Sequence, residues 1–462
     1  MIVPPPAGGA PAARDSSPIP AALAGRQVPR YTSYPTAPHF HAGVDAGTYR
    51  DWLGQLSAGT SLSLYLHVPF CAAMCSYCGC HTKVTRRREP VDAYADRLAA
   101  EIDLVSASTA ARRVDHIHWG GGTPSTLRAD GLARLVDRMA LRFALPDDLD
   151  HAIELDPRTV DHEFAAALGA IGVTRASLGV QDLNPHVQVA IGRVQPYAAV
   201  ASAVGALRKA GIAAISFDLM YGLPHQSTAD LVATVALAAT LRPDRISLFG
   251  YAHVPWMKSH QRLIDEAALP DAARRFEQER EARVALVAAG YVAVGLDHFA
   301  LPADTMARAH QDGDLRRNFQ GYTVDDADAL IGLGASAIGR LPQGHVQNAP
   351  DTAGYQRAID AGRLATVRGL AFTREDRARG EVIERLMCGY PADLPAILNR
   401  HDLAPNLFDA ALDALRDLEA EGLARHEAGL VSVTEAGRPL TRIVAAVFDA
   451  RLGQAGRHSA AV

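Results

Sequence analysis

Four of the five cysteines in this 462-residue chain stand within ten residues, in the stretch Cys71-Ala-Ala-Met-Cys75-Ser-Tyr-Cys78-Gly-Cys80. Buried structural cysteines scatter along a chain and disulfides need an oxidising compartment, so this crowding points to thiolate chemistry. Thiolates spaced as Cys71, Cys75 and Cys78 can serve one metal centre. Zinc is one candidate, although a closed zinc site takes four tetrahedral ligands, commonly as two separated pairs. An iron–sulfur cluster fits the tight triplet better. Three cysteines on three corners of a four-iron cluster leave one iron open to a ligand, as a catalytic zinc keeps a position open to substrate. Cys80 stands apart: two places beyond the triplet, it is not read as the ligand of the fourth iron, and its thiol is available for another task.

Further along, Trp119-Gly120-Gly121-Gly122-Thr123-Pro124 offers consecutive glycines whose backbone can approach a ligand without side chains in the way. A tight strand-to-helix turn would use the same residues. The run has neither G-x-G-x-x-G nor Walker spacing, so it supports neither dinucleotide nor nucleoside triphosphate binding. Glu154, Gln181 and Asp218 each fall near the C-terminal end of an expected strand, and Arg193 follows in Ile191-Gly-Arg-Val. A carboxylate suits ribose hydroxyls or an ammonium group, and an arginine suits a carboxylate. Taken singly, each could be a cap or a surface charge.

The elements that must carry these residues alternate. Ser61 to His67 reads as a strand delivering the cysteine loop, and further strands are expected near Val114–Trp119, His151–Leu155, Arg175–Val180, Ile212–Leu219 and Arg245–Gly250, with helical patterns between them. Such alternation calls for a parallel sheet with helices outside, doubly wound or barrel-like. In a parallel βα barrel the strand C-termini share one face with the cysteine loop, where active sites are built. Beyond them, Ala272–Ala288 reads as a long helix, Tyr291–Leu296 as a strand and Leu330–Ile338 as another apolar strand ending near the site. Before them, residues 1–45 comprise a Pro- and Ala-rich leader and an extended arm, Pro29 to Phe40, whose prolines argue against helix. A composition shift near Arg368 to Thr373 divides residues 46–367 from a helix-rich unit, 368–462, whose helix, hairpin and helix resemble a winged helix. Cys388 is expected in the core of that unit.

Hydrophobic residues at 48% and charged ones at 21% are ordinary for a soluble globular protein, and a net charge of −5 gives no electrostatic case for nucleic acid. The longest apolar run, near Leu231 to Leu241, is far short of the ~20 residues that span a bilayer. No signal peptide is read in the leader. A reducing cytoplasm is the expected compartment, with no membrane association.

Tyr65-Leu-His67-Val-Pro-Phe-Cys71 followed by the triplet resembles the signature of radical S-adenosylmethionine enzymes. The resemblance implies an open six-stranded (β/α)6 partial TIM barrel, a 4Fe-4S cluster held by Cys71, Cys75 and Cys78, and S-adenosylmethionine cleaved to a 5′-deoxyadenosyl radical. It narrows through Arg30-Tyr31-Thr-Ser-Tyr-Pro35, Cys78-Gly-Cys80, His118 to Pro124, Glu154-Leu-Asp156-Pro157, Gly179-Val-Gln181-Asp182, Phe217 to Pro224, Tyr251-Ala252-His253 and Phe319-Gln320-Gly321-Tyr322-Thr323. These stretches, spread over nearly the whole chain, are similar to the family of oxygen-independent coproporphyrinogen III oxidases.

That likeness implies decarboxylation of two propionates of coproporphyrinogen III to vinyl groups, giving protoporphyrinogen IX in haem biosynthesis. It also implies two bound S-adenosylmethionine molecules, contacted by Tyr65, Tyr77, Gly121, Gly122, Thr123, Glu154, Gln181, Arg193, Asp218, Ala252 and Ile338, with Cys80 and Gln320 near the second. A low-potential donor such as flavodoxin or ferredoxin and a monomeric chain are further expectations. Arg30, Arg86, Lys258, Arg262, Arg316 and Arg317 are candidates to meet the propionates. The alternative is a haem-binding chaperone of the same superfamily, whose members typically lack the cysteine matching Cys80. A zinc-stabilised interaction module rests only on the cysteine count and the winged-helix end.

Overall fold

A computed structural model describes residue 23 and residues 25–453, so the expected leader, residues 1–20, lies outside the described residues. The six expected strands form as β1 (Leu62–Val68), β2 (Val114–Gly121), β3 (Asp150–Leu155), β4 (Arg175–Gln181), β5 (Ala214–Tyr221) and β6 (Arg245–Gly250). They pair parallel in sequence order, which brings their C-terminal ends to one rim. Strands covered on both faces read as near-continuous apolar runs. In β1, Leu62, Leu64, Leu66 and Val68 are fully buried and Ser63 nearly so. The covering helices are amphipathic: Arg128–Arg142 turns Leu132, Leu135 and Met139 inward, while Arg134 and Arg142 meet Asp96 and Asp103 outside.

The sheet extends past both edges of this set. On one side lie β7 (Val292–Val294) and β8 (His298–Ala300), with β8 antiparallel to β6. On the other, β9 (Ala329–Leu333) joins β1 in parallel and is followed by β10 (Ile338–Leu341), β11 (Gly344–Asn348) and β12 (Thr366–Ala371), all antiparallel. The twelve strands stand in the order β12-β11-β10-β9-β1-β2-β3-β4-β5-β6-β8-β7.

Two expectations need correction. The apolar stretch Leu330–Ile338 is two strands, because the chain turns at Gly334 and Ser336, both at positive φ (96° and 64°), and Leu330 comes to face Arg340. The strand expected over Tyr291–Leu296 is confined to Val292–Val294, ended by Gly295 at φ 55°. The helix Ala272–Ala288 forms over the residues expected. β12 runs across residue 367, the expected domain boundary, so the sheet continues to Ala371.

Thr373 then starts the helix Arg374–Met387 with a capping box closed by Asp376, and Cys388 caps its other end, fully buried. The rest of this unit contains the helices Leu394–Arg400 and Asp409–Ala420, the hairpin Ala424–Glu427 with Leu430–Val433, and the helix Thr441–Ala446. The helix before the hairpin carries Asp409, Asp413, Asp417 and Glu419 against one arginine, Arg416, which would repel a phosphate backbone. The N-terminal arm lies across both units: His41 bridges to Gly369 in β12, the Tyr31 hydroxyl donates to Asp449 Oδ2 at 3.0 Å, and the Tyr34 hydroxyl accepts from the Ala450 N–H at 3.2 Å. Among the described residues no helix is long and apolar enough to cross a membrane.

Candidate active site

The cysteine loop leaves the C-terminal end of β1 and is closed at its base by a two-residue parallel ladder, Phe70–Cys71 against Lys83–Val84. The glycine turn after β2 locks onto that base. Gly122 N–H donates to Val68 O and Thr123 N–H to Phe70 O, each at 2.8 Å. A Cβ on Gly122 would stand 2.6 Å from Phe70 O, and one on Gly121, at φ 105°, would stand 2.5 Å from the His67 ring. The close approach these glycines permit is therefore to the cysteine loop itself.

Each sulfur of the triplet has its own donor. Thr123 Oγ1 donates to Cys71 Sγ at 3.3 Å, Arg193 Nη1 to Cys75 Sγ at 3.5 Å, and the Cys80 N–H to Cys78 Sγ at 3.4 Å. Among the described residues no three His, Cys, Asp or Glu side chains gather around a single metal ion. Three separately supported sulfurs suit a cluster that takes each thiolate on a different iron. Burial raises the Cys71 thiol, whereas the Cys80 thiol, its N–H and the nearby His260 and Lys258 bring Cys78 down to about 6.

Cys80 sits where the backbone bends, beside Cys78 and tied to it through its own N–H. It remains exposed to the cleft.

Around this loop the strand ends place most of the expected residues. Tyr65 and His67 alternate on β1, and His67 Nε2 donates to His81 O at 3.0 Å, leaving Nδ1 to accept from the Tyr65 hydroxyl at 3.0 Å. Burial lowers the His67 pKa, consistent with that neutral tautomer. Glu154 accepts from His118 Nε2 at 3.1 Å and from the Gly121 N–H at 3.3 Å, with 41% of its side chain still exposed to the cleft. Burial opposes its charge, but His118 and the Gly121 N–H hold its pKa below the usual range. Asp218 takes the opposite direction: burial and the facing Glu154 charge push it up to about 6, against donors Ser247 and Ser177. The two carboxyls of this cleft are thus driven apart.

Gln181 ends β4 at φ 64°, where the ladder to β5 slips between Gly179 and Gln181. Buried Arg193 lies beneath it, donating to Gly179 O at 2.8 Å and pairing with Asp156 at 3.4 Å. Tyr77 packs on Val187, Ile191 and Tyr251. Ile338 opens β10 against Gly332, the partner of Tyr65 in β9. Gln320 lies farther off, in a pocket it shares with Ala252, and its Nε2 is buried without a partner.

Several functional positions were not singled out from the sequence. The short helical turn Ser259–Leu263 grips the cysteine loop by its carbonyls: Lys258 Nζ holds Cys80 O at 2.8 Å, His260 Nε2 holds Cys78 O at 2.7 Å, and Gln261 Nε2 holds Tyr77 O at 2.9 Å and Ala252 O at 3.2 Å. Lys258 is thus committed to the loop, and Arg86 contacts Ala72 O at 3.4 Å, away from the role of a free propionate cation expected of both. No strand-end motif marks this turn, and only the polar residues crowded after Trp256 and Met257 could have drawn notice.

The six parallel strands with a triplet of cysteines after the first define a radical S-adenosylmethionine domain, and the model of the Radical SAM superfamily matches residues 65–238. The likeness extends well beyond that domain. The chain is 49% identical to the oxygen-independent coproporphyrinogen III oxidase of Bradyrhizobium diazoefficiens, over 94% of its own length and 97% of the relative's. It is 43% identical to that of Paracoccus denitrificans over the same shares. The solved coproporphyrinogen III oxidase of Escherichia coli superposes with a TM-score of 0.88 at 35% identity, covering 92% of this chain and all of that one. The chain belongs to the family of oxygen-independent coproporphyrinogen III oxidases.

Proposed function

We propose that the protein converts two propionate side chains of coproporphyrinogen III to vinyl groups, yielding protoporphyrinogen IX. The observation that carries this reading is similarity to named oxidases over nearly the whole of both chains, joined to the cysteine loop on the strand rim. Whole-length relatives named for oxidase activity favour decarboxylation over haem carriage.

Cys71, Cys75 and Cys78 would hold a 4Fe-4S cluster, whose chemistry, when it is bound and reduced, is to cleave S-adenosylmethionine and release a 5′-deoxyadenosyl radical. The chain's own residues do the rest. Thr123, Arg193 and the Cys80 N–H keep the three sulfurs oriented as thiolates. Arg193, carrying a buried positive charge beside Cys75, offsets the negative charge that gathers there. Glu154, fixed by His118, and Asp218, across the cleft, present carboxyls to ribose hydroxyls and to the ammonium of the methionine moiety. Gly121, Gly122, Gln181, Tyr65, Tyr77, Ala252 and Ile338 complete the walls, and Cys80 with Gln320 lies toward a second S-adenosylmethionine. Removing a hydrogen atom from a propionate β-carbon, then one electron and carbon dioxide, leaves the vinyl group. An external low-potential carrier, a flavodoxin or ferredoxin, supplies the reducing electron in a reducing cytoplasm, and one chain suffices for the site.

The test is anaerobic reconstitution with iron and sulfide, followed by S-adenosylmethionine, reductant and coproporphyrinogen III. Protoporphyrinogen IX and carbon dioxide at two per substrate are expected. Deoxyadenosine without any vinyl product would remove this reading.

A further inference from the structure

The pocket that Ala252 and Gln320 line is a cavity of about 340 Å³. Four arginines from four separate parts of the chain line it: Arg30 from the N-terminal arm, Arg275 from the helix Ala272–Ala288, Arg317 from the hairpin of Arg316–Asn318 with Gly321–Thr323, and Arg442 from the C-terminal unit. Against them stand two carboxylates. Glu279 is already engaged, accepting from Arg283 at 2.6 Å and 3.0 Å, which leaves Asp297 as the anion facing four guanidiniums.

Two of these arginines, Arg275 and Arg317, are only partly satisfied by the protein. Arg275 Nε and Arg317 Nη1 are buried without hydrogen-bond partners, as is Gln320 Nε2 in the same wall. Unmade bonds of buried, charged donors cost more than those of any neutral group. The cluster is also self-repelling. Burial, then Arg30, lowers Arg275, and burial, then Arg30 with other neighbours, lowers Arg442 to about 10. Asp297, partly buried yet held down to about 2 by His298, Arg317 and Arg30, stays ionised and is the group's internal counter-charge. A cavity lined by several guanidiniums with few carboxylates against them suits an anion, and planar guanidinium forks match carboxylates.

We propose that Arg275 and Arg317, with Arg30 and Arg442, form a carboxylate clamp that receives propionates of the tetrapyrrole other than the one under attack. This rests on the functional reading above and specifies which part of the chain holds the substrate. A cavity of this size, at the low end of ligand pockets, takes propionate arms and one edge of the macrocycle rather than the whole ring. The clamp also joins the arm and the C-terminal unit to the barrel through the ligand, since Arg30 and Arg442 come from those two parts.

The clamp is tested by equilibrium binding of coproporphyrin III, the stable oxidised analogue with four carboxylates, to the reconstituted full chain and to Arg275→Gln, Arg275→Lys and Arg317→Gln, with coproporphyrin tetramethyl ester as the uncharged control. Expected are a loss of affinity of about tenfold or more in each Gln variant, partial rescue by Arg275→Lys, and no difference between wild type and variants for the ester. Turnover should show a raised KM for coproporphyrinogen III at nearly unchanged kcat, because these contacts hold ground state and transition state alike. Deoxyadenosine formation without substrate should stay at the wild-type rate. Arg317 also holds Tyr31 O and Arg30 O, so if Arg317→Gln does not fold, Arg275→Gln, whose guanidinium makes no such backbone contact in the arm, decides the matter. Wild-type affinity and KM in Arg275→Gln, with the wild type making product, would overturn the clamp and leave the functional reading standing. A wild type that neither binds coproporphyrin III nor makes vinyl product would end both.

Discussion

The N–H of Cys80 donates to the sulfur of Cys78 at 3.4 Å. A residue two places beyond the triplet thus supports a candidate ligand while keeping its side chain in the open cleft. Cys80→Ala should keep its iron, since the N–H bond remains and the three candidate ligands are untouched. Vinyl product should fall by ~100-fold, as misplaced reacting groups do, while uncoupled deoxyadenosine continues. Iron per chain, deoxyadenosine and product measured on one preparation check this. Loss of the cluster would make Cys80 a ligand instead.

Gly122→Ala is expected to damage the cluster site without unfolding the barrel. The added methyl must displace the Phe70 backbone and Thr82 Oγ1, at 2.6 and 2.8 Å. Overpacking of this kind costs about 1–3 kcal/mol, and it falls on the base of the cysteine loop. Reconstituted iron should drop well below wild type while far-ultraviolet circular dichroism is unchanged.

Gln261→Ala should release the loop from the opposite side. Gln261 is fully buried and makes three hydrogen bonds, to Tyr77 O, Ala252 O and the Val254 N–H. Each buried group left unpaired costs about 1–3 kcal/mol. The reconstituted variant should lose iron to a chelator several-fold faster than wild type, with Gln261→Glu failing to restore the two carbonyl contacts.

Asp218→Asn tests the raised carboxyl. Its folded value of about 6 stands above its ordinary 3.8, so between these values the folded chain keeps a proton that the unfolded chain has lost. The group therefore favours folding below about pH 4, and that contribution disappears as pH rises through about 6. Asparagine, which mimics the protonated form, should make the cluster-free chain more stable than wild type in urea at about pH 8, with the difference vanishing near pH 4. The same variant should bind S-adenosylmethionine more weakly. Equal stability at both pH values would return Asp218 to an ordinary surface carboxylate.

What could be read in advance follows the physics of each element. β1 to β6 were legible because a strand buried on both faces must be apolar and because each ends at residues with chemistry, such as Glu154 and Asp218. The turn between β9 and β10 was not: Gly334-Ala-Ser336 carries no polar break, and its positive φ values belong to the fold. Gln261 and His260 were invisible because a loop that grips carbonyls has no periodicity to betray it. Lys258 drew attention as a cation, and its charge is spent on Cys80 O.

The clasp between Tyr31 and Asp449 has a consequence for biosynthesis. The two residues are 418 positions apart, so the arm leaves the ribosome long before its acceptor exists. At typical elongation rates of 5–20 residues per second, that delay is roughly 20–80 s. β1 also waits for β9, though less long, since Leu62 pairs with Ala329. Nascent chains must therefore carry the arm undocked, and with it Arg30, until Asp449 has been made. The wall that Arg30 and Arg442 share is assembled last, so a chain stalled before Asp449 could hold a finished barrel that still lacks one side of its arginine-lined cavity.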